Sequence, residues 1–495
     1  MIIIHHYLFS SFIYGQPLHR QPVAADRKEN VMDNKTNWLD YDVDEMVRGD
    51  RDYLWHHIKP HKVFQTAEQM IIVEGKGLRV KDIRGREYLD ATSGGVWSVM
   101  VGHGRDSIAA AVYEQLKILS YYAGTVGNIP GIKFAAKLIE LLPRLSKVFF
   151  SNSGSEANEK AFKVVRQLSH IDPDRKGKYK VLFRDRDYHG TTIGALSATG
   201  QLERKQDFGP FAEGFAEFPH MLCYRCPFGK SYPGCNIDCA HSLEDVILKE
   251  GPDTVGGCIV EPITAGGGIM VPVQEYYPIL QAICRKYGVY LIMDEVVCGF
   301  GRTGKFWGHD QYDVDPDIIT MAKGLASSYM PLSATVFRQD IFDKFLCDPS
   351  QPAERMNYFR DISTYGGCTG AMTAALESTR IIETEQLVEN SRVVGAYLLE
   401  GLQSLSDMQL VGDVRGKGLF CGMEFVKDKQ TKESITEGEM GRLMGLVAAE
   451  GVLVGRTNSS LPGNNTIMNF APALVATKSE MDEIVTAVKR ALEKF

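Results

Sequence analysis

The 495-residue sequence lacks several features that mark large classes of protein. Its 55 basic and 62 acidic residues leave a formal net charge of −7, and it has no long basic run, so nucleic-acid binding is not favoured. Ten cysteines are too few for a disulfide scaffold in a chain of this length, and they predict reduced thiols in a cytoplasmic protein. No uninterrupted apolar run reaches the roughly 18 residues of a membrane-spanning helix.

The N-terminal stretch MIIIHHYLFSSFIYG is apolar but short, and it lacks the basic start of a signal peptide. A more typical protein sequence begins at Met32. Residues 1–31 are therefore predicted to be a disordered tail or an incorrectly assigned translation start. A short membrane-binding segment is the alternative interpretation.

From residue 147 onward, short apolar runs alternate with helical patterns. The runs cover residues 147–151, 180–183, 256–261, 289–295, 317–321 and 333–337. They are continuous rather than alternating, which is typical of strands that are buried on both faces. The sequence therefore predicts an α/β fold around a mostly parallel sheet.

The pattern changes near residue 370, where one long helical stretch begins and is followed by mixed strand and helix patterns. Residues 92–370 are predicted to form a large domain, and residues 371–495 a smaller α+β domain. Residues 32–91 show hairpin character around Gly85 and are predicted to join the smaller domain.

A predicted strand leads directly into a helix at SNSGSEANEKA, residues 151–161. Ser153 and Glu156 have the spacing of a capping box. The free N–H groups of a helix N-terminus favour a phosphate, Gly154 allows close approach of the backbone, and Ser155 adds a hydroxyl donor. An ordinary helix cap is the alternative interpretation.

Two further groups follow buried strands of the same predicted sheet. Asp294 and Glu295 end one strand, and Lys323 follows the next. Ligands of open α/β sheets bind beyond the carboxyl ends of the strands. Solvated turn acids and a surface lysine are the alternatives for each group alone. A phosphate cradle, a buried acid and an amine at one edge together predict a pyridoxal phosphate pocket.

Two other patterns have spacings that are typical of ligand sites. GFGRTG, residues 299–304, has the spacing of a dinucleotide-binding loop, but the following residues do not predict the helix that such a loop must open. Four thiols in C-x2-C-x8-C-x3-C spacing could bind zinc, although the intervening loop is short for a zinc ribbon. These thiols belong to Cys223, Cys226, Cys235 and Cys239.

The motifs SNSGSEANEKA, DYHGTT, IVEPI, LIMDEVVCGFGRTG, ITMAKGL and STYGG occur in the order found in one family. Residues 40–495 resemble the class III (omega) aminotransferases of the fold-type I pyridoxal phosphate superfamily. The resemblance implies a large cofactor-binding domain with a mostly parallel sheet, a smaller α+β domain, and no required metal. It also implies a homodimer or homotetramer with the active site at the dimer interface.

The resemblance assigns cofactor roles to individual positions. Lys323 would hold the cofactor's aldehyde and move the proton of the substrate carbon. Asp294 would pair with the pyridinium nitrogen. Gly154 and Ser155 would bind the phosphate together with Thr364 of the partner subunit.

Further positions are implied to surround the ring and the substrate. Tyr188 would stack on one face of the cofactor ring, and Val296 would pack on the other. Glu261 would lie near the cofactor's hydroxyl group and pair with Arg415. Trp97 and Arg415 would line the substrate pocket.

The stretches YLWHHIKPHKVFQ, CYRCPFGKSYPGC and VRGKGLFCGMEF resemble the members of the family that use taurine and pyruvate. The implied reaction converts taurine and pyruvate into sulfoacetaldehyde and L-alanine, with beta-alanine or another omega-amine as the alternative donor. One difference is TYGGCTG at residues 364–370, where many members have TYSGHP. A nucleotide- or metal-binding scaffold without catalysis is the rival interpretation from another class.

Overall fold

A computed structural model describes residues 40–495. The prediction for residues 1–31 lies outside the described residues. Residues 40–55 belong to a unit of their own, which contains helix α1 (Val43–Tyr53) with Asp42 as its N-cap. Residues 56–495 form the second unit, and it holds the remaining elements.

The helices of the second unit are distributed along its whole length. They are α2 (His61–Thr66), α3 (Asp106–Ile118), α4 (Ile129–Leu141), α5 (Gly154–Ile171), α6 (Ile193–Ser197), α7 (Leu202–Lys205), α8 (Asp238–Glu250), α9 (Tyr276–Tyr287), α10 (Gln339–Asp343), α11 (Thr369–Thr384), α12 (Leu387–Gln403), α13 (Glu437–Ala449) and α14 (Lys478–Lys494).

The strands of this unit form three sheets. They are β1 (Ile72–Lys76), β2 (Arg79–Asp82), β3 (Glu87–Asp90), β4 (Lys147–Ser151), β5 (Lys180–Arg184), β6 (Phe215–Phe218), β7 (Val255–Val260), β8 (Tyr290–Asp294), β9 (Ile318–Met321), β10 (Ser333–Phe337), β11 (Val411–Gly416), β12 (Cys421–Asp428), β13 (Glu433–Ser434), β14 (Val452–Leu453), β15 (Gly455–Arg456) and β16 (Ile467–Phe470).

The central sheet has seven strands in the order β4-β10-β9-β8-β7-β5-β6. The strands from β9 to β6 are parallel to their neighbours, and β10 is antiparallel to both β9 and β4. Every residue of β7, β9 and β10 is buried, which explains their continuous apolar sequences. The prediction of an α/β fold with a mostly parallel sheet is confirmed.

The strands of the two smaller sheets come from the N-terminal and C-terminal parts of the sequence, and β14 (Val452–Leu453) joins the N-terminal strands. One has the order β1-β2-β3-β14, and its β2–β3 hairpin turns at Gly85, whose φ of +85° favours glycine. The other is antiparallel, with the order β11-β12-β16-β15, and β13 pairs with β12. The domain boundaries near residues 91 and 370 remain predictions.

The long helical stretch that begins near residue 370 is two helices rather than one. α11 ends at Thr384, and α12 begins at Leu387. Gln386 between them has a φ of +54°, and its N–H bonds to the carbonyl oxygen of Glu383 in a tight turn. The left-handed residue interrupts the helical hydrogen bonds and separates the two axes.

Helix α5 packs its apolar face on the central sheet. This face is fully or almost fully buried at Ala157, Ala161, Val164, Val165 and Leu168, as its spacing predicts. The packing holds the N-terminus of α5 at the end of β4. Over residues 40–495, the helices are all too short or too polar to cross a membrane.

Candidate active site

Most of the functional residues predicted from the sequence gather where strands of the central sheet end. β4, β5, β7, β8 and β9 have their carboxyl ends at one edge, because β10 is antiparallel to both β4 and β9. In this register Asp294 lies opposite Thr320, and Ser151 lies opposite Ser333. The edge is therefore the expected place for a ligand.

A cavity of about 850 Å³ opens at this edge. The predicted site residues in its wall are Trp97, Gly154, Ser155, Tyr188, Glu261, Asp294, Val296 and Lys323. Among the wall residues that the sequence did not single out are Asn158, His189, Gln201, Arg204 and Asn458. Within the described chain, Thr364 and Arg415 are not part of this wall.

Lys323 follows β9 and begins a short 3-10 turn, Lys323–Leu325, with a φ of +36°. Burial lowers the pKa of Lys323, and the charges of Asp294 and Glu261 oppose the decrease. A lowered pKa makes the neutral amine more abundant near neutral pH. The neutral amine is the form that attacks a carbonyl group or accepts a proton.

Asp294 ends β8 and is 3% exposed. Its Oδ2 accepts hydrogen bonds from Nδ1 of His189 at 2.8 Å and Nδ2 of Asn158 at 2.9 Å. Its Oδ1 accepts the N–H of Val296 at 3.0 Å. No lysine or arginine nitrogen of residues 40–495 lies within 4.0 Å of this carboxylate. A buried carboxylate without a cation is costly, so the geometry fits a positively charged ligand group.

His189 and Asn158 are functional candidates that the sequence reasoning missed. Both are about 1% exposed, and both hold the same oxygen of Asp294. Nε2 of His189 and Oδ1 of Asn158 are buried without a hydrogen-bond partner in the described chain. The available signal was the position of His189 in DYHGTT, directly after Tyr188.

The N-terminus of α5 forms the opposite part of the wall. Ser153 caps it by accepting the N–H of Glu156 at 3.2 Å, but the side chain of Glu156 binds the N–H of Asn152 rather than that of Ser153. A Cβ added to Gly154 would lie 3.1 Å from the Val296 side chain. Any larger residue at Gly154 would therefore press on Val296, which lies in the same cavity wall.

Ser155 and the loop after β5 meet beside this helix start. Oγ of Ser155 accepts the N–H of Thr191 at 3.1 Å. A Cβ added to Gly190 would lie 2.3 Å from the same Oγ, so only glycine allows the contact. Together these N–H groups and hydroxyls make a cradle suited to an anion.

A buried polar cluster lies behind the cavity and consists of Arg184, Asp187, Thr264 and Tyr277; we call it the Arg184–Asp187 cluster. The Arg184 guanidinium lies 3.0 Å from the Asp187 carboxylate, and both side chains are 0% exposed. Arg184 also donates to Oγ1 of Thr264 and to the hydroxyl of Tyr277, each at 3.1 Å. The two charges are therefore neutralised inside the protein.

Glu261 connects this cluster to the cavity. Its own N–H donates to Asp187 at 3.0 Å, while its carboxylate accepts the N–H of Tyr188 at 2.9 Å and that of Ala265 at 3.0 Å. Burial raises the pKa of Glu261 well above its usual value, and the charges of Asp187 and Asp294 raise it further. Glu261 is therefore more easily protonated than an ordinary glutamate.

Trp97 lies in the wall with a φ of +64°, and its indole N–H donates to Oδ1 of Asn469 at 3.0 Å. The ring packs edge-on against Phe420 with 5.7 Å between the ring centroids. These contacts fix the orientation of the indole at the cavity surface.

Arg415 is not brought into the group. Its Nη1 lies 2.5 Å from Asp413 and 3.0 Å from Glu424, and its Nε and Nη2 donate to the carbonyl oxygen of Gly268. The expected pair with Glu261 is absent from the ion pairs of the described residues, because two nearer carboxylates hold the guanidinium.

The two other sequence patterns take different roles. Arg302 of GFGRTG is fully buried and donates to the carbonyl oxygens of Leu419 and Pro472. The four clustered cysteines are free thiols. Within residues 40–495, no group of three or more histidine, cysteine or acidic side chains is arranged to hold a metal ion.

The wall fits pyridoxal phosphate in three respects. The N-terminus of α5 offers an anion cradle, Asp294 is a buried carboxylate with no lysine or arginine partner, and Lys323 is an amine whose pKa is lowered by burial. These match a phosphate, a protonated ring nitrogen and an aldehyde, respectively.

Comparisons with known proteins agree with this chemistry. Residues 62–492 match the family described as "Aminotransferase class-III". The taurine–pyruvate aminotransferase of Bilophila wadsworthia (strain 3_1_6) is 51% identical over 454 residues, which cover 92% of this chain and 98% of that protein. The hypotaurine/taurine–pyruvate aminotransferase of Paracoccus denitrificans (strain Pd 1222) is 48% identical over 454 residues, with the same coverage of 92% and 98%.

Solved structures are similar over nearly the same range. An aminotransferase of Bacillus anthracis has a TM-score of 0.87 at 40% identity and covers 91% of this chain and 98% of its own. A thermostable (S)-enantioselective omega-transaminase from Thermomicrobium roseum has a TM-score of 0.85 at 34% identity, with coverage of 92% and 99%.

Proposed function

Because the chain belongs to the class III aminotransferases, we propose that it transfers the amino group of taurine to pyruvate, giving sulfoacetaldehyde and L-alanine. Enzymes of this class use pyridoxal phosphate, which serves as an electron sink and carries the amino group between the two substrates. The observation that carries the proposal is the cavity wall, where Lys323, Asp294 and the start of α5 meet.

Lys323 is proposed to hold the cofactor's aldehyde and to move the proton of the substrate carbon. Its lowered pKa supports this role, because a neutral amine can accept that proton. Asp294 is proposed to pair with the ring nitrogen, and its hydrogen bonds from His189 and Asn158 support a carboxylate held in one orientation.

The remaining roles are proposals of the same kind. Gly154 and Ser155 would bind the phosphate, because they form the cradle at the start of α5. Tyr188 and Val296 would cover the two faces of the cofactor ring, and Glu261 would lie near its hydroxyl group. All five residues line the cavity, which supports this assignment.

Substrate recognition is proposed to involve Trp97 and Arg415. Trp97 is supported by its place in the wall. Arg415 would first have to leave Asp413 and Glu424, so its contribution requires a rearrangement of these ion pairs.

Beta-alanine or another omega-amine is the alternative donor, since the chain also resembles an omega-transaminase. The deciding experiment measures initial rates with taurine, beta-alanine, putrescine and 1-phenylethylamine against pyruvate, with alanine as the measured product. We expect the highest kcat/KM for taurine. If alanine forms from pyruvate with beta-alanine or an amine as the donor but not with taurine, the alternative donor is the correct one. A colourless protein that forms no alanine would contradict the enzyme assignment.

We further propose a cytoplasmic homodimer or homotetramer in which Thr364 completes the phosphate site of the partner subunit. Thr364 begins a turn, Thr364–Gly367, that lies against the 121–124 segment and is outside the cavity wall of its own chain. Large apolar side chains are exposed nearby: Tyr113 (63%), Ile118 (80%), Ile129 (69%), Ile132 (62%) and Tyr365 (65%). Such a concentration supports a protein interface.

Sedimentation at the assay concentration tests the assembly. We expect a dimer or larger species in the wild type, and dissociation together with lower activity in Ile129→Asp. A fully active monomer would contradict the proposal.

A further inference from the structure

Two arginines near the cavity differ in how their charge is neutralised. Arg415 binds the carboxylates of Asp413 and Glu424 and the carbonyl oxygen of Gly268, so its donors are occupied by protein groups. Arg204 forms no ion pair with an acidic residue anywhere in residues 40–495. Of these two arginines, only Arg204 lies in the wall of the cavity.

The partners of Arg204 are neutral. Nε donates to Oε1 of Gln201 at 3.3 Å, and Nη2 donates to the carbonyl oxygen of Asn458 at 3.0 Å. Within the described chain, Nη1 donates to no atom. Burial lowers the pKa of Arg204, with only Tyr188 acting against it. A half-buried guanidinium with free donors and no counter-ion favours an anionic ligand.

Arg204 lies near two of the residues that are proposed to contact the cofactor, Tyr188 and Lys323. Its guanidinium carbon lies 5.3 Å from the centroid of the Tyr188 ring, which lines the same cavity. The pKa of Lys323 is lowered mainly by burial, and the charge of Arg204 adds to that decrease. Arg204 is therefore close enough to the amine of Lys323 to interact with it electrostatically.

We propose that Arg204 binds the anionic group of the amino donor, the sulfonate of taurine or the carboxylate of beta-alanine, and thereby sets donor specificity. The inference deepens the proposed function and rests on it. In both donors the anion stands two carbons from the amine, so an amine that reacts beside Lys323 places its anion elsewhere in the same cavity. Paired charge-assisted hydrogen bonds from the planar guanidinium suit either anion.

Arg456 strengthens the positive potential at this side of the cavity. It lies in the wall, and its nearest acidic group is Glu437 at 4.0 Å. The cofactor's phosphate has its own cradle at the start of α5. The cation of Arg204 is thus available for the substrate.

The test compares Arg204→Met, Arg204→Lys and Lys205→Met with the wild type, each loaded with the cofactor. Lys205→Met is the matched control, since it removes one positive charge from the next residue of α7 but lies outside the cavity wall. For each protein, kcat/KM is measured with taurine, beta-alanine and the neutral donor 1-phenylethylamine. The binding of ethanesulfonate, an anion without an amine, is measured by calorimetry, and thermal unfolding checks the fold.

We expect Arg204→Met to lower the taurine-to-phenylethylamine ratio of kcat/KM about 10- to 100-fold, mainly through a higher KM. Ethanesulfonate binding should weaken to a similar degree, and Arg204→Lys should recover part of both. Lys205→Met should leave the ratio within about threefold of the wild type.

Three results would overturn the proposal. The first is a ratio within about threefold of the wild type in a folded Arg204→Met. The second is weaker cofactor binding without a change in the ratio, which would assign Arg204 to the phosphate. The third is a wild-type kcat/KM that is no higher for the anionic donors, taurine and beta-alanine, than for neutral 1-phenylethylamine. If the wild type uses beta-alanine but not taurine, only the proposed function is contradicted. The beta-alanine-to-phenylethylamine ratio of kcat/KM then decides the role of Arg204.

Discussion

The Arg184–Asp187 cluster and the cavity wall in front of it are both rich in buried charge, but they differ in where that charge is neutralised. In the cluster, Arg184 and Asp187 lie 3.0 Å apart, and neutral donors and acceptors surround both. In the wall, Asp294 has no lysine or arginine within 4.0 Å, and Arg204 has no acidic partner within the described chain. The charges of the cluster are paired within the protein, whereas the charges of the wall suit a ligand that carries both signs of charge.

We expect this difference to separate residues that stabilise the fold from residues that are proposed to act on a ligand. Burying an unpaired charge costs several kcal/mol, so unpaired groups persist only where function retains them. Substitutions in the two regions should therefore lower different quantities.

Lys323→Ala should give the largest effect. The variant loses the group proposed to hold the cofactor and move the proton, and general acid–base transfer alone contributes about two to four decades in rate. We expect no multiple turnover, measured as alanine formation, and an unchanged far-ultraviolet circular dichroism spectrum. Turnover near the wild-type rate would contradict the role of Lys323. It would also contradict the expected difference between the cavity wall and the Arg184–Asp187 cluster.

Asp187→Asn should mainly reduce stability. The substitution leaves the Arg184 guanidinium buried without its counter-ion, and breaking such a pair costs about 3–5 kcal/mol. Urea unfolding of the cofactor-free protein measures the loss. Asp294→Asn in the same assay serves as the comparison, and an equal loss in both variants would remove the distinction between the two regions.

Asp294→Asn should mainly reduce activity. A charge-assisted hydrogen bond contributes about 1.5–3 kcal/mol, so we expect turnover to fall about 10- to 100-fold and the absorption band of the bound cofactor to shift. Activity close to that of the wild type would show that the carboxylate does not act on the cofactor ring.

His220→Gln should change only the response to acid. His220 lies near Asp185 and is 4% exposed, and burial together with the charges of Arg186 and Arg184 lowers its pKa to about 3. The unfolded chain binds a proton below pH 6.5 and the folded chain does not, so stability decreases as the pH falls from 6.5 towards 3.

At pH 5 this linkage amounts to about 2 kcal/mol, which His220→Gln should remove. Urea unfolding at pH 7 and pH 5 gives the difference between the two proteins. The same pH dependence in both would contradict the assignment to His220.

The sequence predicted the groups whose chemistry follows from local pattern. Lys323 and Asp294 follow continuous apolar runs, and buried parallel strands necessarily bring their carboxyl ends together. The N-terminus of α5 was predicted from the capping spacing of Ser153. These inferences need only the order of the elements and not their exact packing.

Other features depend on contacts that no local pattern contains. β6, with the short sequence FAEF, resembles many surface segments, and the break at Gln386 occurs without glycine or proline. Arg204 lies in QLERKQ, which is typical of a solvated helix, and only packing against Tyr188 and Asn458 makes it part of a cavity. The contacts of Arg415 depend in the same way on Glu424, a neighbour in the sheet rather than in the local sequence.

The backbone at Lys323 has a consequence for the lifetime of the unloaded protein. A φ of +36° favours glycine, and a lysine held in this region costs on the order of 1 kcal/mol or more. Lys323→Gly would remove this backbone strain, but glycine would also gain conformational entropy in the unfolded chain. The proposed role of Lys323 therefore carries a cost in stability, and the protein without its cofactor bears that cost without a benefit.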